Sequence, residues 1–146
     1  MWSVDLILRA ILSALIILGG VQDWKYGEVS NWITIPLLVA GLIACTIKLL
    51  NDPETGLGFT MLIILLTILA WNGWMGGADW KVLVGLFGLW PIAGFAAILT
   101  AGLWGVVEMI RKRDRNARFP GITAYALASG LTFLIELFTM HPINKV

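Results

Sequence analysis

Charged side chains are scarce in this chain. Asp, Glu, Lys and Arg make up 13% of its 146 residues, whereas a soluble globular domain averages about 25%. Hydrophobic residues make up 59%, and the mean hydropathy is +0.88. These values exclude an ordinary water-soluble fold. The net charge of +1 favours no class of partner, so the positions of the charges are more informative than their sum.

Cysteine and histidine are nearly absent. The single cysteine, Cys45, excludes a disulfide framework or a cysteine-based zinc site within this chain. The single histidine, His141, is expected on the outer side of the membrane, which argues against a Ser-His-Asp site or a histidine-based metal site. We therefore predict no metal and no cofactor. Asp5 and Arg9 interrupt the N-terminal segment, so no cleavable signal peptide is expected.

Long apolar runs fill most of the chain. Since about 20 apolar residues make one membrane-spanning helix, the sequence predicts an all-α membrane bundle of about six transmembrane helices, in one domain over residues 1–146. The fourth helix is short, so Asp79 near its start is expected to lie recessed from the membrane surface. The expected helices are Val4–Val21, Trp32–Leu50, Leu57–Trp71, Trp80–Leu89, Ile92–Ile110 and Ile122–Met140.

Basic residues predict the orientation of these helices. If residues 80–110 form a helical hairpin, most basic residues fall on one side, which the positive-inside rule assigns to the cytoplasm, and both termini lie outside. That side holds Lys25, Lys81, Arg111, Lys112, Arg113, Arg115 and Arg118, and the other holds Arg9, Lys48 and Lys145. The run "RKRDRNAR" (Arg111–Arg118) is then interpreted as a topology signal and a contact for anionic lipids, with no nucleic-acid partner.

Tryptophan and glycine have structural interpretations. Most of the eight tryptophans lie near predicted helix ends, which is typical of an aromatic belt at the membrane surface. The pairs Gly85/Gly88 and Gly102/Gly105 are expected to permit close helix packing.

Two of the nine acidic residues are distinguished by their positions in the chain. Asp23 and Asp79 both fall at the predicted cytoplasmic ends of apolar segments, each within a D-W-K triplet. Two carboxylates about 3 Å apart cannot both ionise and therefore share a proton. One can then activate a water while the other polarises a carbonyl, as in an aspartic protease. The alternative is that each aspartate marks a helix end, stabilised by Lys25 or Lys81.

The sequence around these aspartates resembles the type IV prepilin peptidase family, membrane aspartic proteases of the G-x-G-D class. The resemblance covers nearly all of the chain. "DWKYGEVSNWITIPLLVAGL" (Asp23–Leu42) is similar to the first family motif, "GGADWKVLVGLFGLW" (Gly76–Trp90) to the second, and "FPGITAYALASG" (Phe119–Gly130) to the last helix. Ala78 departs from the pattern, because alanine does not accept the positive φ that glycine allows.

The resemblance implies that Asp23 and Asp79 form the catalytic pair and that neighbouring residues support the site. Gly76 and Gly77 are expected to let a substrate strand pass close to Asp79. Lys81 would order a loop or bias the shared proton, or else be a snorkelling interface lysine. Asn31 would contact the loop, or simply start a helix. The supporting residues are therefore Gly76, Gly77, Ala78, Lys81 and Asn31.

The implied substrate is a prepilin, with a short basic leader before an apolar helix, cut at the cytoplasmic face of the membrane. Longer family members carry an N-terminal domain with paired cysteines that accompanies N-methylation. We expect cleavage alone here, as in the short forms that serve Flp-type or archaeal pilins. No oligomeric state is predicted.

Two other classes of function remain open. A small ion-coupled transporter would use intramembrane carboxylates as an ion path. It would favour acids on several helices or an internal repeat, and Glu136 is the only deep acid besides Asp79. A non-enzymatic membrane subunit of pilus assembly is the second alternative.

Overall fold

A computed structural model describes residues 4–113 and 120–140. It is an all-α bundle of six helices, with no strand in those two ranges, so the predicted fold class is confirmed. The helices are α1 (Val4–Tyr26), α2 (Asn31–Asn51), α3 (Pro53–Trp71), α4 (Gly77–Leu89), α5 (Pro91–Lys112) and α6 (Gly121–Met140). His141, Arg115, Arg118 and Lys145, which carried predictions, lie outside the described residues.

Both aspartates of interest lie inside helices. α1 continues beyond the predicted end at Val21 to Tyr26, and α4 begins at Gly77 instead of Trp80. Hydropathy falls at the first charged residue, but the backbone hydrogen bonds of a helix do not depend on hydropathy. Asp23 is therefore in the last turn of α1 and Asp79 in the first turn of α4.

The short helix α4 is the core of the bundle. Its 13 residues rise about 20 Å, which is less than the roughly 30 Å of a hydrocarbon layer. The other five helices are long and apolar enough to cross a membrane. Every residue of α4 from Val82 to Gly88 is buried, and the helix packs against α2, α3 and α5. The prediction of a short fourth helix is confirmed.

Glycines allow α2 and α4 to cross closely. A Cβ at Gly85 would lie 2.8 Å from the Leu37 carbonyl oxygen, and a Cβ at Gly88 would overlap the backbone of Gly41. The predicted packing role is confirmed for Gly85 and Gly88. For Gly102 it is wrong, because a Cβ there would meet no atom within 4 Å.

A charged cluster joins helices at the end of the bundle away from Asp23 and Asp79. Arg9 of α1 pairs with Glu136 of α6 at 2.6 Å. The Trp90 indole N–H donates to the other Glu136 oxygen at 3.0 Å. Trp90 forms the entire connection between α4 and α5 and is 1% exposed. The cluster therefore ties α1, α6 and this connection together.

The described tryptophans differ in exposure. Four that lie at or beside helix ends on the Asp23 side are exposed, as an aromatic belt requires: Trp24, Trp32, Trp71 and Trp74. Trp90 is buried and hydrogen-bonded to Glu136, so the belt interpretation is wrong for this residue. An apolar run alone does not distinguish a tryptophan at an interface from one that closes a core.

The outward faces of the helices are apolar. Exposed large side chains include Ile11, Ile43, Met61, Leu99 and Ile135. A soluble monomer does not expose apolar surface of this extent. Together with the five helices of spanning length, this surface identifies a multi-pass membrane protein.

Candidate functional site

Asp23 lies where α1 ends, and its carboxylate caps a different helix. Gly27 follows α1 with a left-handed φ of 68°, and its N–H donates to the Asp23 carbonyl at 2.8 Å, which closes the helix. The Asp23 Oδ2 atom accepts hydrogen bonds from the backbone N–H groups of Ile122 at 3.0 Å and Thr123 at 3.3 Å. These are orphan donors in the first turn of α6.

The capping contact explains a negative charge near the C-terminus of α1. That position is unfavourable with respect to the dipole of α1, but the N-terminus of α6 attracts an anion. The Pro120 carbonyl accepts the first helical bond of α6, from Ala124 N–H at 3.3 Å, and proline has no side-chain acceptor. Asp23 supplies the acceptor that Pro120 lacks.

Asp79 is positioned by the start of α4. Gly73, with a φ of 76°, ends α3 in a Schellman motif, since Trp74 N–H donates to the Leu69 carbonyl at 3.0 Å. The chain turns, and α4 begins after the N-cap residue Gly76. The Asp79 carboxylate bonds back to the Gly76 N–H, which is half of a capping box.

Two glycines make room for the Asp79 carboxylate. A Cβ at Gly76 would lie 2.8 Å from Asp79 Oδ2, and a Cβ at Gly121 of α6 would lie 2.6 Å from Oδ1. The free space at Gly76 is thus occupied by Asp79 itself. A Cβ at Gly77 would meet no atom within 4 Å. Ala78 is helical and has no positive φ, so replacing the family glycine places no strain on the backbone here.

One cavity of about 320 Å³ contains both carboxylates. Its walls come from the end of α1, the α1–α2 connection, the start of α4 and the start of α6. They are formed by Asp23, Gly27, Glu28, Val29, Gly76, Gly77, Ala78, Asp79 and Ile122. The structure therefore brings together the two aspartates that the sequence singled out.

The electrostatics of the cavity favour a shared proton. Asp79 lies in the first turn of α4, which is not among the helices long enough to cross a membrane. Burial, and next the negative Asp23 carboxylate, raise the pKa of Asp79 to about 6, against hydrogen bonds from Gly76 and Tyr125 that lower it. Two acids so coupled titrate as a pair. Near neutral pH such a pair can hold one proton and one charge, as general acid–base chemistry requires.

Lys81 and Asn31 contact each other. Lys81 Nζ donates to Asn31 Oδ1 at 2.8 Å, which links the beginning of α4 to the first residue of α2. Of the roles considered for Lys81, this contact favours ordering of the α1–α2 connection. The same connection is held by Ser30 N–H, which donates to Gln22 Oε1 at 3.1 Å.

The sequence interpretation missed the contribution of α6. Tyr125 is 5% exposed, and its hydroxyl is hydrogen-bonded to the Asp79 carboxylate. Gly121 and the N–H groups of Ile122 and Thr123 also contact the two acids. One signal was present: Tyr125 lies within an apolar helix, and a buried tyrosine hydroxyl usually has a hydrogen-bond partner.

No group of three or more His, Cys, Asp or Glu side chains that could hold a metal ion occurs in residues 4–113 and 120–140.

Comparison with known proteins identifies a family. The model of the type IV leader peptidase family matches residues 10–110, more than half of the chain, and the match includes Asp23, Asn31, Asp79 and Lys81. It ends before α6. No curated protein and no solved structure matched.

Proposed function

Because the chain belongs to the type IV leader peptidase family, we propose that it is an aspartic endopeptidase that removes the basic leader of a prepilin, of the Flp-type or archaeal kind. The observation that carries the aspartic mechanism is the position of Asp23 and Asp79. These residues are far apart in sequence, yet they line one cavity. Asn31 and Lys81 support the site by holding the start of α2 against the start of α4.

In the proposed reaction the two carboxyl groups share one proton. The charged carboxylate removes a proton from a water as the water oxygen attacks the scissile carbonyl carbon, and the protonated partner donates to the carbonyl oxygen. The carboxyl group that took the water proton then passes it to the amide nitrogen, the C–N bond breaks, and the other carboxylate takes a proton from a hydroxyl of the tetrahedral intermediate. The products are a carboxylic acid and an amine, and the pair again holds one proton. The cavity of about 320 Å³ is much larger than the roughly 30 Å³ of one water.

The charge of the cavity supports a basic leader as substrate. Three acids line it, Asp23, Glu28 and Asp79, and no lysine or arginine is among its described lining residues. Glu28 is exposed at the α1–α2 connection. A cationic side chain next to the scissile bond would therefore be attracted to this cavity.

The distribution of basic residues supports a cytoplasmic site. Lys25 is in the last turn of α1, and Arg111 and Lys112 are in the last turn of α5, so all three lie at the same end of the bundle as the cavity. At the opposite end, Arg9 is paired with Glu136, and Lys48 donates to the Gly88 carbonyl at 2.7 Å. By the positive-inside rule the cavity faces the cytoplasm and both termini lie outside.

Single substitutions of the aspartates test the proposal. Asp23→Asn and Asp79→Asn, each co-expressed with a prepilin in membranes, should lower leader cleavage by at least about 100-fold, because each removes one of the two groups that exchange protons. Cleavage is followed by the mobility shift of the mature pilin on an immunoblot. Glu54→Gln is the matched control, since Glu54 is an acid in the first turn of α3 outside the cavity.

Near-wild-type processing by either asparagine variant would refute the aspartic mechanism. Leader cleavage that continues in membranes without this protein, while pilus assembly still requires it, would instead indicate a non-enzymatic assembly subunit.

A further inference from the structure

Tyr125 and Gly121 form the surface of α6 that lies against the Asp79 carboxylate. The two residues are four positions apart, so they lie on the same face of the helix. Gly121 leaves room for the carboxylate, since a Cβ there would lie 2.6 Å from Asp79 Oδ1. The Tyr125 hydroxyl, one turn further along, is hydrogen-bonded to the same group. A helix outside the two sequence motifs thus determines where one carboxylate points.

The groups around Asp79 come from several parts of the chain. Asp23 of α1 and Glu28 of the α1–α2 connection line the same cavity and carry the same sign of charge. At the N-cap of α4, the Gly76 N–H bonds the carboxylate, and on α4 itself Lys81 is bonded to Asn31. From α6 comes the Tyr125 hydroxyl. Among the described residues, Tyr125 supplies the side-chain hydroxyl that contacts Asp79.

A phenol in this position has a defined electrostatic effect. An O–H group that donates to a carboxylate stabilises the charged form more than the neutral form. It therefore opposes the repulsion that the Asp23 charge exerts on Asp79. Because Tyr125 is buried, its orientation is fixed by packing and the donor is in place before a substrate binds.

We propose that Tyr125 is a positioning residue of the peptidase, which holds the Asp79 carboxylate in its reactive orientation and favours its charged form. The inference rests on the proposed function. In this role Tyr125 acts through Asp79 and does not touch the substrate. Removing its hydroxyl should change the catalytic step and its pH dependence, and leave substrate binding largely as it is.

Tyr125→Phe tests this role by removing one oxygen atom. We expect kcat for leader cleavage to fall about tenfold with KM within about twofold of wild type. The limb of the pH profile to which Asp79 contributes should move to higher pH by about one unit, because a lost donor no longer favours the charged carboxylate. Tyr26→Phe is the matched control: Tyr26 is the other tyrosine of the chain, 76% exposed, and its removal should change neither quantity.

A second variant moves the profile in the opposite direction. 3-Fluorotyrosine at position 125 has a more acidic phenol and is a stronger donor, so the same limb should move to lower pH. A Tyr125→Phe enzyme that is folded, judged by gel filtration in detergent, with an unshifted pH profile would overturn the inference, even if it were slower. Cleavage that persists in Asp79→Asn would overturn the proposed function and this inference with it.

Discussion

The Asp23 carboxylate has two tasks that a substitution can separate. It accepts two N–H groups at the start of α6, and it lines the cavity with Asp79. The first task needs an acceptor oxygen, which asparagine also has. The second needs a group that can gain and lose a proton, which asparagine lacks.

Asp23→Ala and Asp23→Asn should therefore differ in stability but not in activity. We expect alanine to lower the free energy of unfolding in detergent micelles by about 1 kcal/mol, within the 0.5–2 kcal/mol range of a lost helix cap. Asparagine should lower it much less. Both should abolish leader cleavage. Thermal or denaturant unfolding measures the first effect and an immunoblot the second.

Asp52→Ala is the control for capping alone. Asp52 caps α3, where its side chain accepts from the Thr55 N–H at 3.4 Å, and it lies outside the cavity. Its loss should lower stability and leave cleavage intact. If asparagine at position 23 destabilised the protein as much as alanine, the cap assigned to Asp23 would be wrong.

At this scale the sequence predicted the acids but not their partners. Asp23 and Asp79 could be found because both end apolar segments on the same predicted side of the membrane, each within a D-W-K triplet. The N–H groups of Ile122 and Thr123 could not, because every helix start carries such groups. Tyr125 stood out as a tyrosine in an apolar helix, but the sequence does not show which residue its hydroxyl meets. Only the packing of α6 against α1 and α4 shows which acids these groups meet.

Among the helices, α4 is the one whose surroundings depart most from a simple membrane span. A helix that is apolar on all sides can face lipid or lie in a core, and its hydropathy does not distinguish the two. Length does: 13 residues are too few to cross a bilayer. The sequence therefore predicted a short helix with glycine packing. It could not predict that Gly85 and Gly88 face α2 while Gly102 faces open space.

Alanine at two glycines of the bundle tests this difference with one kind of substitution. Gly88→Ala should destabilise the protein by about 1–3 kcal/mol, because the new methyl group would overlap the backbone of Gly41. Gly102→Ala should be neutral or stabilising by up to about 1 kcal/mol, since alanine favours a helix and the site is open. Unfolding in micelles measures both. Equal effects would contradict the close crossing of α2 and α4.

Across the whole molecule, the candidate site and the Arg9–Glu136 ion pair lie at opposite ends of the bundle. In the proposed reaction the cavity end admits water and a peptide. The far end holds α1, α6 and the α4–α5 connection through Arg9, Glu136 and Trp90. Arg9 also lies over the Trp90 ring, 5.7 Å from its centroid. This arrangement allows stability and catalysis to be altered separately.

Glu136→Gln should lower the free energy of unfolding by about 1–3 kcal/mol, because a partly buried Arg9 would lose its charged partner. A double-mutant cycle with Arg9→Gln should show a favourable coupling between the two residues.

Glu108→Gln is the matched control. Glu108 is as buried as Glu136, but its partners Arg111 and Lys112 are 73% and 47% exposed, against 28% for Arg9. Because these cations keep their contact with water, the Glu108 pairs should contribute at most about 1 kcal/mol. Leader cleavage by the folded fraction should be unchanged in both glutamine variants, since neither glutamate lines the cavity. A cost at Glu108 equal to that at Glu136 would show that burial does not determine the strength of these pairs. Loss of cleavage in folded Glu136→Gln would show that the two ends of the bundle are coupled.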